Sequence, residues 1–521
     1  MGGFRAADAH VGYSLLEYGV AVLAIYLLMV LIRRSPKNLP PGPTGLPIIG
    51  SLHLLGERPH EALAQMAQKY NARLLSLYMG QKLCIVASSA ETAMEVLKTQ
   101  DATFSSRPPL RGFEVIFPKD ITFSDITPAS RQLRKIFHSQ LTSARRIEES
   151  EHIRTDEILQ MLRSIPSDKV VNIKSCLEVM TANILTRLII SKRFMGRSGG
   201  ELDTSEKKEL KDFIHITEEI GLCLGTPNPR DVIPAFKYID LNGLDRRFKN
   251  LRSHMESFLS KIVAERHHRR RESLGSMDPP SEKDLLDILL DQMDTKANGQ
   301  DQITGEVVTS IVWEAFAAGM ETSVLATEWT MAEILNNPKV LSKAQAELDA
   351  VVGRTRTVQE SDIPNLKYLK AVVKEAFRLH PVIPLLVPHQ SNAACQAFGY
   401  DIPAETRLLV NVWAIGRDPA VWSNPLHFDP ERFLGDGPHA GTDFSGKGFN
   451  LLTFGAGRRM CMGVSLGELL VESSVASLLH CFSWSLPGEL DMSEGVGLSV
   501  RKAVPLSAIA SPRLPPHVYA H

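Results

Sequence analysis

The chain of 521 residues has few cysteines, almost no net charge and no glycosylation signal. Its six cysteines lie far apart and form no Cys-x-x-Cys pair, which excludes a disulfide framework and the spacing of a structural zinc site. A formal net charge of −1 lacks the excess of Lys and Arg that a protein devoted to nucleic acids needs. Because no Asn-x-Ser/Thr acceptor occurs either, the bulk of the chain fits a cytosolic environment.

The sequence does contain enough apolar material for a large core, with 44% hydrophobic and 22% charged residues. Helical periodicity dominates after residue 50, strand-like runs are short, and no repeat or long linker divides the chain. We therefore predict a mainly α fold with small β-sheets, as a single domain over 51–521. The predicted helices are 61–70, 90–98, 146–165, 170–191, 206–220, 244–271 and 305–335, and the predicted strands are 74–78, 83–87 and 407–412.

One long apolar run lies near the N-terminus, at 11–32. Its only formal charge is Glu17, and as a helix it would span about 33 Å, enough for a bilayer core. Arg33, Arg34 and Lys37 follow the run, which is the reverse of the order in a cleaved signal peptide and leaves the following chain in the cytosol. A buried core helix is the alternative. The resulting prediction is a lumenal segment at 1–10, a transmembrane anchor at 11–32 and a basic, proline-rich hinge at 33–50.

A second charged segment, 266–271, contains four Arg and two His and passes into a loop with Gly275, Pro279 and Pro280. A run of this kind is typical of a solvated helix end. A binding patch is the alternative.

The strongest chemical signal lies at 454–463, which matches F-x-x-G-x-R-x-C-x-G at all five fixed positions. An isolated cysteine is usually a small buried hydrophobe. Here the glycines, including Gly455 and Gly463, leave room for a macrocycle and let main-chain N–H groups face the sulfur of Cys461, as a thiolate ligand of iron requires. Arg459 is suited to pair with a haem propionate. We predict a haem site, with Phe454 beside the ligand loop.

The predicted helix at 305–335 contains Ala-Gly-Met-Glu-Thr-Ser at its middle, at 318–323. Gly319 costs about 1 kcal/mol relative to Ala inside a helix, so another group is expected to approach the backbone there. The hydroxyl of Thr322, next to the acid Glu321, can bond back to a carbonyl and open the helix locally. Such an opening could hold water and deliver protons; a solvent-facing Thr is the alternative.

Taken in order, these motifs resemble the cytochrome P-450 family of haem-thiolate monooxygenases, from the anchor to about residue 515. The resemblance implies a triangular helical prism around haem b, with Cys461 as the axial iron ligand and Glu321 and Thr322 as the proton-relay pair. It also implies a buried, structural network of Glu375, Arg378 and Arg432, because 375–378 is similar to the Glu-x-x-Arg motif and 430–433 to its partner element.

Further haem and substrate contacts are implied by the same resemblance. The segment 380–389 is similar to the one that passes the haem, which makes His389 a propionate partner and Val382 to Leu386 a substrate wall. Arg134 stands where a propionate-binding Arg is found in Trp-Arg-x-x-Arg, but Ser130 replaces the Trp. Candidates to line the pocket are Leu110, Phe113, Phe316, Val382 and Leu386. For Leu110, Phe113, Phe316 and Leu386, each taken singly, a place in the core is the alternative.

The implied reaction consumes dioxygen, two electrons and two protons, puts one oxygen atom into substrate and releases the other as water. The glycines near 435–437 lie in a polar loop without the setting of a nucleotide fingerprint, so electrons are expected from an NADPH-dependent flavoprotein reductase at the endoplasmic reticulum membrane. The sequence resembles plant members that hydroxylate phenylpropanoids and flavonoids. Fatty-acid or terpenoid hydroxylation, a reductase-independent isomerase or dehydratase, and a non-catalytic haem binder are the alternatives.

Overall fold

The structure is a computed structural model that describes residues 38–194, 204–273, 283–294 and 303–519. The predicted lumenal segment and anchor, 1–32, lie outside these residues. Of the predicted hinge, 38–50 is described, and it packs on the body of the protein. The Ser76 N–H and hydroxyl donate to the carbonyls of Pro41 and Pro40 at 3.0 and 2.5 Å, and Gly50 forms a bridge with Met79. This part of the hinge contains no helix, as its prolines predict, and it is bonded to the body of the protein. Its last residues, 46–50, form a turn in which Leu46 and Gly50 exchange main-chain hydrogen bonds.

Helices make up most of the described chain, in agreement with the predicted class. Those in the described ranges are α1 Pro59–Lys69, α2 Ala90–Met94, α3 Asp101–Phe104, α4 Arg111–Ile116, α5 Pro128–Phe137, α6 Ala144–Glu149, α7 Glu151–Ser164, α8 Ile173–Ile190, α9 Thr204–Gly225, α10 Leu244–Ser273, α11 Leu285–Asp294, α12 Gly305–Asn336, α13 Pro338–Val351, α14 Lys367–Leu379, α15 Val412–Ile415 and α16 Val464–Cys481.

The strands of the described ranges are short and form three sheets. In chain order they are β1 Leu74–Met79, β2 Lys82–Ala87, β3 Val170–Asn172, β4 His389–Gln390, β5 Cys395–Ala397, β6 Tyr400–Ile402, β7 Arg407–Val410, β8 Phe482–Ser485 and β9 Ser507–Pro512. One sheet has the order β1-β2-β7-β4, in which only the β2–β7 pair is parallel. The others are β3-β9-β8 and β5-β6, both antiparallel.

Two of the predicted helices differ from the structure because the chain breaks locally within the predicted range. The helix predicted over 170–191 begins only at Ile173, after β3, because the side chain of Asn172 accepts the Ser175 N–H and caps the helix. The helix predicted over 146–165 is two helices, α6 and α7, which meet at Ser150. In both cases the apolar period continues across a local break, and period alone cannot locate that break.

Helix α12 crosses the core and positions the site. Thr304 caps its first turn by accepting the Val307 N–H, and it ends at Asn336, shortly before Pro338. Its residues are buried on nearly every side. A helix that is apolar all round belongs inside a large protein, and α12 packs against α8, α9, α14 and α16.

By length and composition, α16 is the one helix in the described part of the chain that could cross a membrane. Of the window that passes this test, 67% is buried inside the protein. The apolar character of α16 therefore corresponds to its packing in the core.

The predicted network of Glu375, Arg378 and Arg432 is confirmed. Arg378 donates to both carboxylate oxygens of Glu375 at 2.7 Å, and Arg432 donates to one of them at 3.0 Å. Carbonyls, including those of Gly416 and Pro425, accept the remaining Arg378 N–H groups. Every charge of this cluster is met within the chain, as buried charge requires.

The basic run at 266–271 is the end of α10. Arg266 donates to Asp284 at 2.8 Å and also pairs with Asp287, and Arg270 bonds Asp287 and Asp291 at 2.7 and 2.9 Å. These acids belong to α11 and the residue before it. The run thus contains arginines that tie α10 to α11.

Candidate active site

A cavity of about 330 Å³ lies beside α12, and its walls are mostly apolar. Residues from α5, α8, α9, α12 and the segment 453–471 line it, together with parts of the loops at 117–123, 382–389 and 498–499. It brings together nearly all the residues that the sequence motifs single out. Those predicted site residues that line it are Arg134, Glu321, Thr322, Val382, Leu386, His389, Phe454, Gly455, Arg459, Cys461 and Gly463.

Cys461 presents its thiol to this cavity. Its N–H donates to the Phe454 carbonyl at 3.0 Å, which closes the loop that carries the sulfur. Gly455 and Gly457 have φ of +69°, a conformation that a side chain would strain, so the turn before Cys461 needs glycine at both positions. Burial raises the pKa of the Cys461 thiol, and a hydrogen bond from the Gly463 N–H lowers it. A metal cation bound to the sulfur would also lower the pKa of this thiol, because the cation favours the thiolate.

Three arginines gather at the cavity. The guanidinium groups of Arg107 and Arg459 both donate to the Thr122 carbonyl, at 2.9 and 3.4 Å, and they also donate to other carbonyls. Arg134 lies near enough to lower the pKa of Arg459, after burial, the larger cause. Burial and then Arg459 lower the pKa of Arg107 to about 9. Among the described residues no carboxylate hydrogen-bonds the guanidinium group of any of the three, although Asp125 accepts the main-chain N–H of Arg107. The guanidinium groups at this end of the cavity therefore have no bonded anion.

His389 shares that end of the cavity. Its Nδ1 lies 2.8 Å from the Phe104 carbonyl and must donate to it, since a carbonyl only accepts. Burial, followed by Arg107, lowers the pKa of His389 to about 3. The ring is therefore neutral, with Nε2 as an acceptor, and it would donate to a propionate only after that anion had raised its pKa.

These observations fit a haem. The cavity has a thiol that can ligate iron, backbone turns without Cβ atoms beside it, and an arginine cluster suited to two propionates as charge-assisted partners. Cys461 would ligate the iron, and Arg107, Arg134 and Arg459 would hold the propionates.

Glu321 and Thr322 face the cavity from α12. Thr322 Oγ1 donates to the Ala318 carbonyl at 2.6 Å, which is the back-bond that the motif predicts. Glu321 Oε2 accepts the Ser499 hydroxyl at 3.3 Å. Burial raises the pKa of Glu321 to about 7, and the Ser499 bond opposes the rise. Glu321 is therefore poised to gain and lose a proton near neutral pH.

Two glycines make room around this pair. A Cβ on Gly319 would lie 3.1 Å from a methyl group of Leu185 in α8, so a side chain does approach the helix there, as predicted. A Cβ on Gly221 in α9 would lie 2.5 Å from Glu321 Oε2. Any larger residue at 221 would displace the carboxylate of Glu321.

The structure corrects three predicted wall residues. Phe316 is fully buried in an aromatic cluster, with ring centroids 4.9 Å from Phe213 and 5.6 Å from Trp313, on a side of α12 away from the cavity. Phe113 lies behind the wall, its ring stacked on Phe123 at 3.6 Å. Leu110 is half-buried at the start of α4.

Ser130, which replaces the expected Trp, has another task. Its N–H donates to Thr127 Oγ1 at 3.1 Å and its Oγ accepts the Thr127 N–H at 2.9 Å, so the two residues form a capping box. Ser130 thus stabilises the first turn of α5, the helix that carries Arg134.

Sequence reasoning missed many of the cavity residues, and four of them bear on its chemistry and shape: Arg107, Thr122, Phe123 and Glu314. Only Glu314 had a recognisable signal, as a single charge within an apolar stretch of α12. Burial and then Asp120 raise the pKa of Glu314 to about 8. The other three lie on irregular backbone, where no period marks the inward face.

Comparison with known proteins agrees with this geometry. A family model described as cytochrome P450 matches residues 40–504. The chain belongs to the cytochrome P450 family. A flavonoid 3'-monooxygenase of Petunia hybrida is 39% identical, covering 97% of this chain and 99% of the relative. A flavonoid 3',5'-hydroxylase of Campanula medium is also 39% identical, covering 96% and 97%.

The fold agrees as well. A zebrafish cytochrome P450 solved with progesterone superposes with a TM-score of 0.72 at 29% identity, covering 87% of this chain and 99% of that structure. This confirms the predicted cytochrome P450 fold. Membership of the family makes the chain a haem-thiolate monooxygenase, an oxidoreductase that uses dioxygen.

Proposed function

We propose that this cytochrome P450 hydroxylates the aromatic ring of a flavonoid or a related phenylpropanoid. The observation that carries the proposal is the cavity: a thiol, Cys461, and an acid–alcohol pair, Glu321 and Thr322, face one space whose remaining walls are mostly apolar. A flat aromatic ring suits such walls, and the similar Petunia and Campanula proteins are named for hydroxylating flavonoids.

Haem b, when bound, supplies the activation of dioxygen. The chain's own residues orient and protect that chemistry. Thr322 keeps its hydroxyl at the cavity by bonding back to α12, and its oxygen lone pairs are available to accept a proton. Glu321, whose pKa lies near 7, passes protons towards Thr322 from the side of Ser499.

Electrons come in this proposal from an NADPH-dependent flavoprotein reductase. The segment at 11–32 anchors the chain in the endoplasmic reticulum membrane and contacts lipid, with the catalytic domain in the cytosol. Protection of the N-terminus, but not of the domain, from protease in sealed microsomes would support this orientation. Release of the full chain by alkaline carbonate would contradict an integral anchor.

The test combines a spectrum with turnover. Microsomes that contain the full chain and a reductase are expected to give the carbon monoxide difference band of a thiolate-ligated haem after reduction. They are also expected to convert a flavanone with one B-ring hydroxyl to a product with an additional oxygen atom, dependent on NADPH. Cys461→Ala should abolish both. Binding and turnover of only fatty acids or terpenes would contradict the substrate, and turnover of a peroxide without reductase would contradict the reaction.

A further inference from the structure

The mechanism leaves one buried acid of the cavity without a role. Glu314 lies on α12 and is 5% exposed. Its Oε2 accepts the Ile121 N–H at 2.9 Å and its Oε1 accepts the Thr122 N–H at 2.8 Å. Burying a carboxyl group is unfavourable unless it is well bonded. Both oxygens of Glu314 accept main-chain N–H groups, and these belong to two consecutive residues of a single loop.

That loop, 117–127, connects α4 to α5 and has no regular backbone pairing of its own. Side chains hold it instead. Ser310, one turn before Glu314 on α12, donates to the Pro118 carbonyl at 2.8 Å. Arg107 donates to the Thr122 carbonyl at 2.9 Å. The Thr122 N–H is therefore bonded to Glu314 of α12, and the Thr122 carbonyl is bonded to Arg107 of the arginine cluster.

The same loop forms part of the cavity wall. Phe117, Thr122 and Phe123 line the cavity, and so does Glu314. The Phe123 ring rests on Phe113, with centroids 3.6 Å apart. The bonds that Glu314 accepts thus hold the two residues directly before Phe123, whose ring is one of the aromatic rings of this wall.

We propose that Glu314 is a positioning residue that sets the place of Thr122 and Phe123 and thereby determines which ring atom of the substrate faces the iron. The proposal rests on the proposed function, since it assigns regiochemistry within that reaction. It predicts that weakening the tether moves the wall, changes substrate binding and product distribution, and leaves haem ligation intact.

The first experiment compares Glu314→Gln with Glu306→Gln. Gln keeps one acceptor oxygen but turns an N–H group towards the other donor, so one of the two bonds is lost. Glu306 is an exposed residue on the first turn of the same helix and is the matched control. For a flavanone with one B-ring hydroxyl we expect KM to rise about 3- to 10-fold in Glu314→Gln, with kcat within about twofold. The ratio of ring-hydroxylated isomers should change, and Glu306→Gln should match the parent.

A double-mutant cycle with Phe123→Leu tests whether Glu314 acts through the wall. If it does, the two substitutions are coupled, and the double variant shows less than the product of the single effects on KM. An unchanged KM and isomer ratio in Glu314→Gln, or fully multiplicative effects, would overturn the proposal. If Glu314→Gln fails to fold, Glu314→Asp replaces it, because the shorter side chain keeps the carboxyl but withdraws its oxygens from the Ile121 and Thr122 N–H groups. A changed KM and isomer ratio in that variant would support the proposal, and unchanged values would overturn it.

Failure of the proposed function gives a different result. In that case the parent protein itself shows no hydroxylation of the flavanone. The parent's carbon monoxide band and turnover are therefore measured first, and the variants are read only as changes relative to it.

Discussion

The chain buries arginine in two places, beside α14 and at one end of the cavity. Beside α14, Arg378 and Arg432 both bond the carboxylate of Glu375. At the cavity, Arg107, Arg134 and Arg459 lie close together, and in the described parts of the chain none of their guanidinium groups hydrogen-bonds a carboxylate.

The acids near the cavity cluster do not correct this imbalance. Burial raises the pKa of Glu314 to about 8, which favours its neutral form at pH 7. Burial raises the pKa of Asp120 only to about 6, but its carboxylate accepts the N–H groups of Phe123 and Ser124 and, within the described ranges, bonds no arginine. Like charges close together are unfavourable unless an anion is present. A cluster that is complete within the chain serves the fold, whereas one that lacks anions is prepared for the anions of a ligand.

The largest expected effect is a loss of stability when the network of Glu375, Arg378 and Arg432 is broken. Glu375→Ala leaves two buried guanidinium groups unpaired, and we expect the free energy of unfolding to fall by about 3–5 kcal/mol. Chemical denaturation monitored by circular dichroism would measure this. The control is Glu431→Ala, which removes an exposed ion pair with Lys343 and should change stability by less than about 1 kcal/mol. Equal losses of stability from the two substitutions would contradict the distinction between the buried Glu375 network and an exposed ion pair.

A second prediction concerns the acid that faces the cavity from α12. Glu321→Gln should lower the hydroxylation rate by about 10²-fold, because it removes a proton donor. As the pKa of Glu321 is raised to about 7, the parent carboxyl is protonated below that pH, and its activity should decline as pH rises through about 7. The Gln variant should lack that decline. A parent profile without a decline in this range would contradict the relay.

A substitution in the arginine cluster at the cavity should change the affinity for haem and should not lower the stability of the fold. Arg134→Met is expected to weaken haem binding about tenfold, since one charge-assisted bond to a propionate is lost. The stability of the haem-free protein should stay equal or rise, because no carboxylate is left unpaired. Transfer of haem to apomyoglobin measures the first and thermal unfolding the second. Arg131→Met, exposed on the same helix, is the control; a stability loss only in Arg134→Met would contradict the interpretation.

The smallest expected effect is at the helix cap that presents Arg134. Ser130→Ala breaks the capping box with Thr127 and should cost about 1 kcal/mol of stability. The carbon monoxide band should be unchanged, because the role of Ser130 is to stabilise the start of α5 and not to contact haem. Ser139→Ala, at an exposed position beyond α5, should change neither quantity. A weaker band in Ser130→Ala alone would assign this residue to the cofactor site.

The sequence predicted much of this site because its chemistry is local. The turn around Cys461 needs glycines within a few residues, and the back-bond of Thr322 reaches Ala318 in its own helix. Glu375 and Arg378 lie one turn apart, so their pairing follows from the helical period. Patterns of this kind are contained in a short stretch of chain.

The wall could not be predicted in the same way. Phe316 was expected there, but a helix that is apolar on all sides has no period that distinguishes the cavity face from the core. The loop carrying Thr122 and Phe123 has no period at all. Its place depends on Glu314 and Arg107, neither of which belongs to a motif.

The sequence by itself determined the family, the thiol that can ligate iron, the acid–threonine pair and the buried Glu–Arg network, because each depends on residues close together in the chain. Only the tertiary structure decided which aromatic rings face the cavity, that Arg107 joins the cationic cluster, and that Glu314 holds the wall. The reason is distance along the chain: Glu314 and Thr122 are 192 positions apart, and only packing brings their atoms to 2.8 Å.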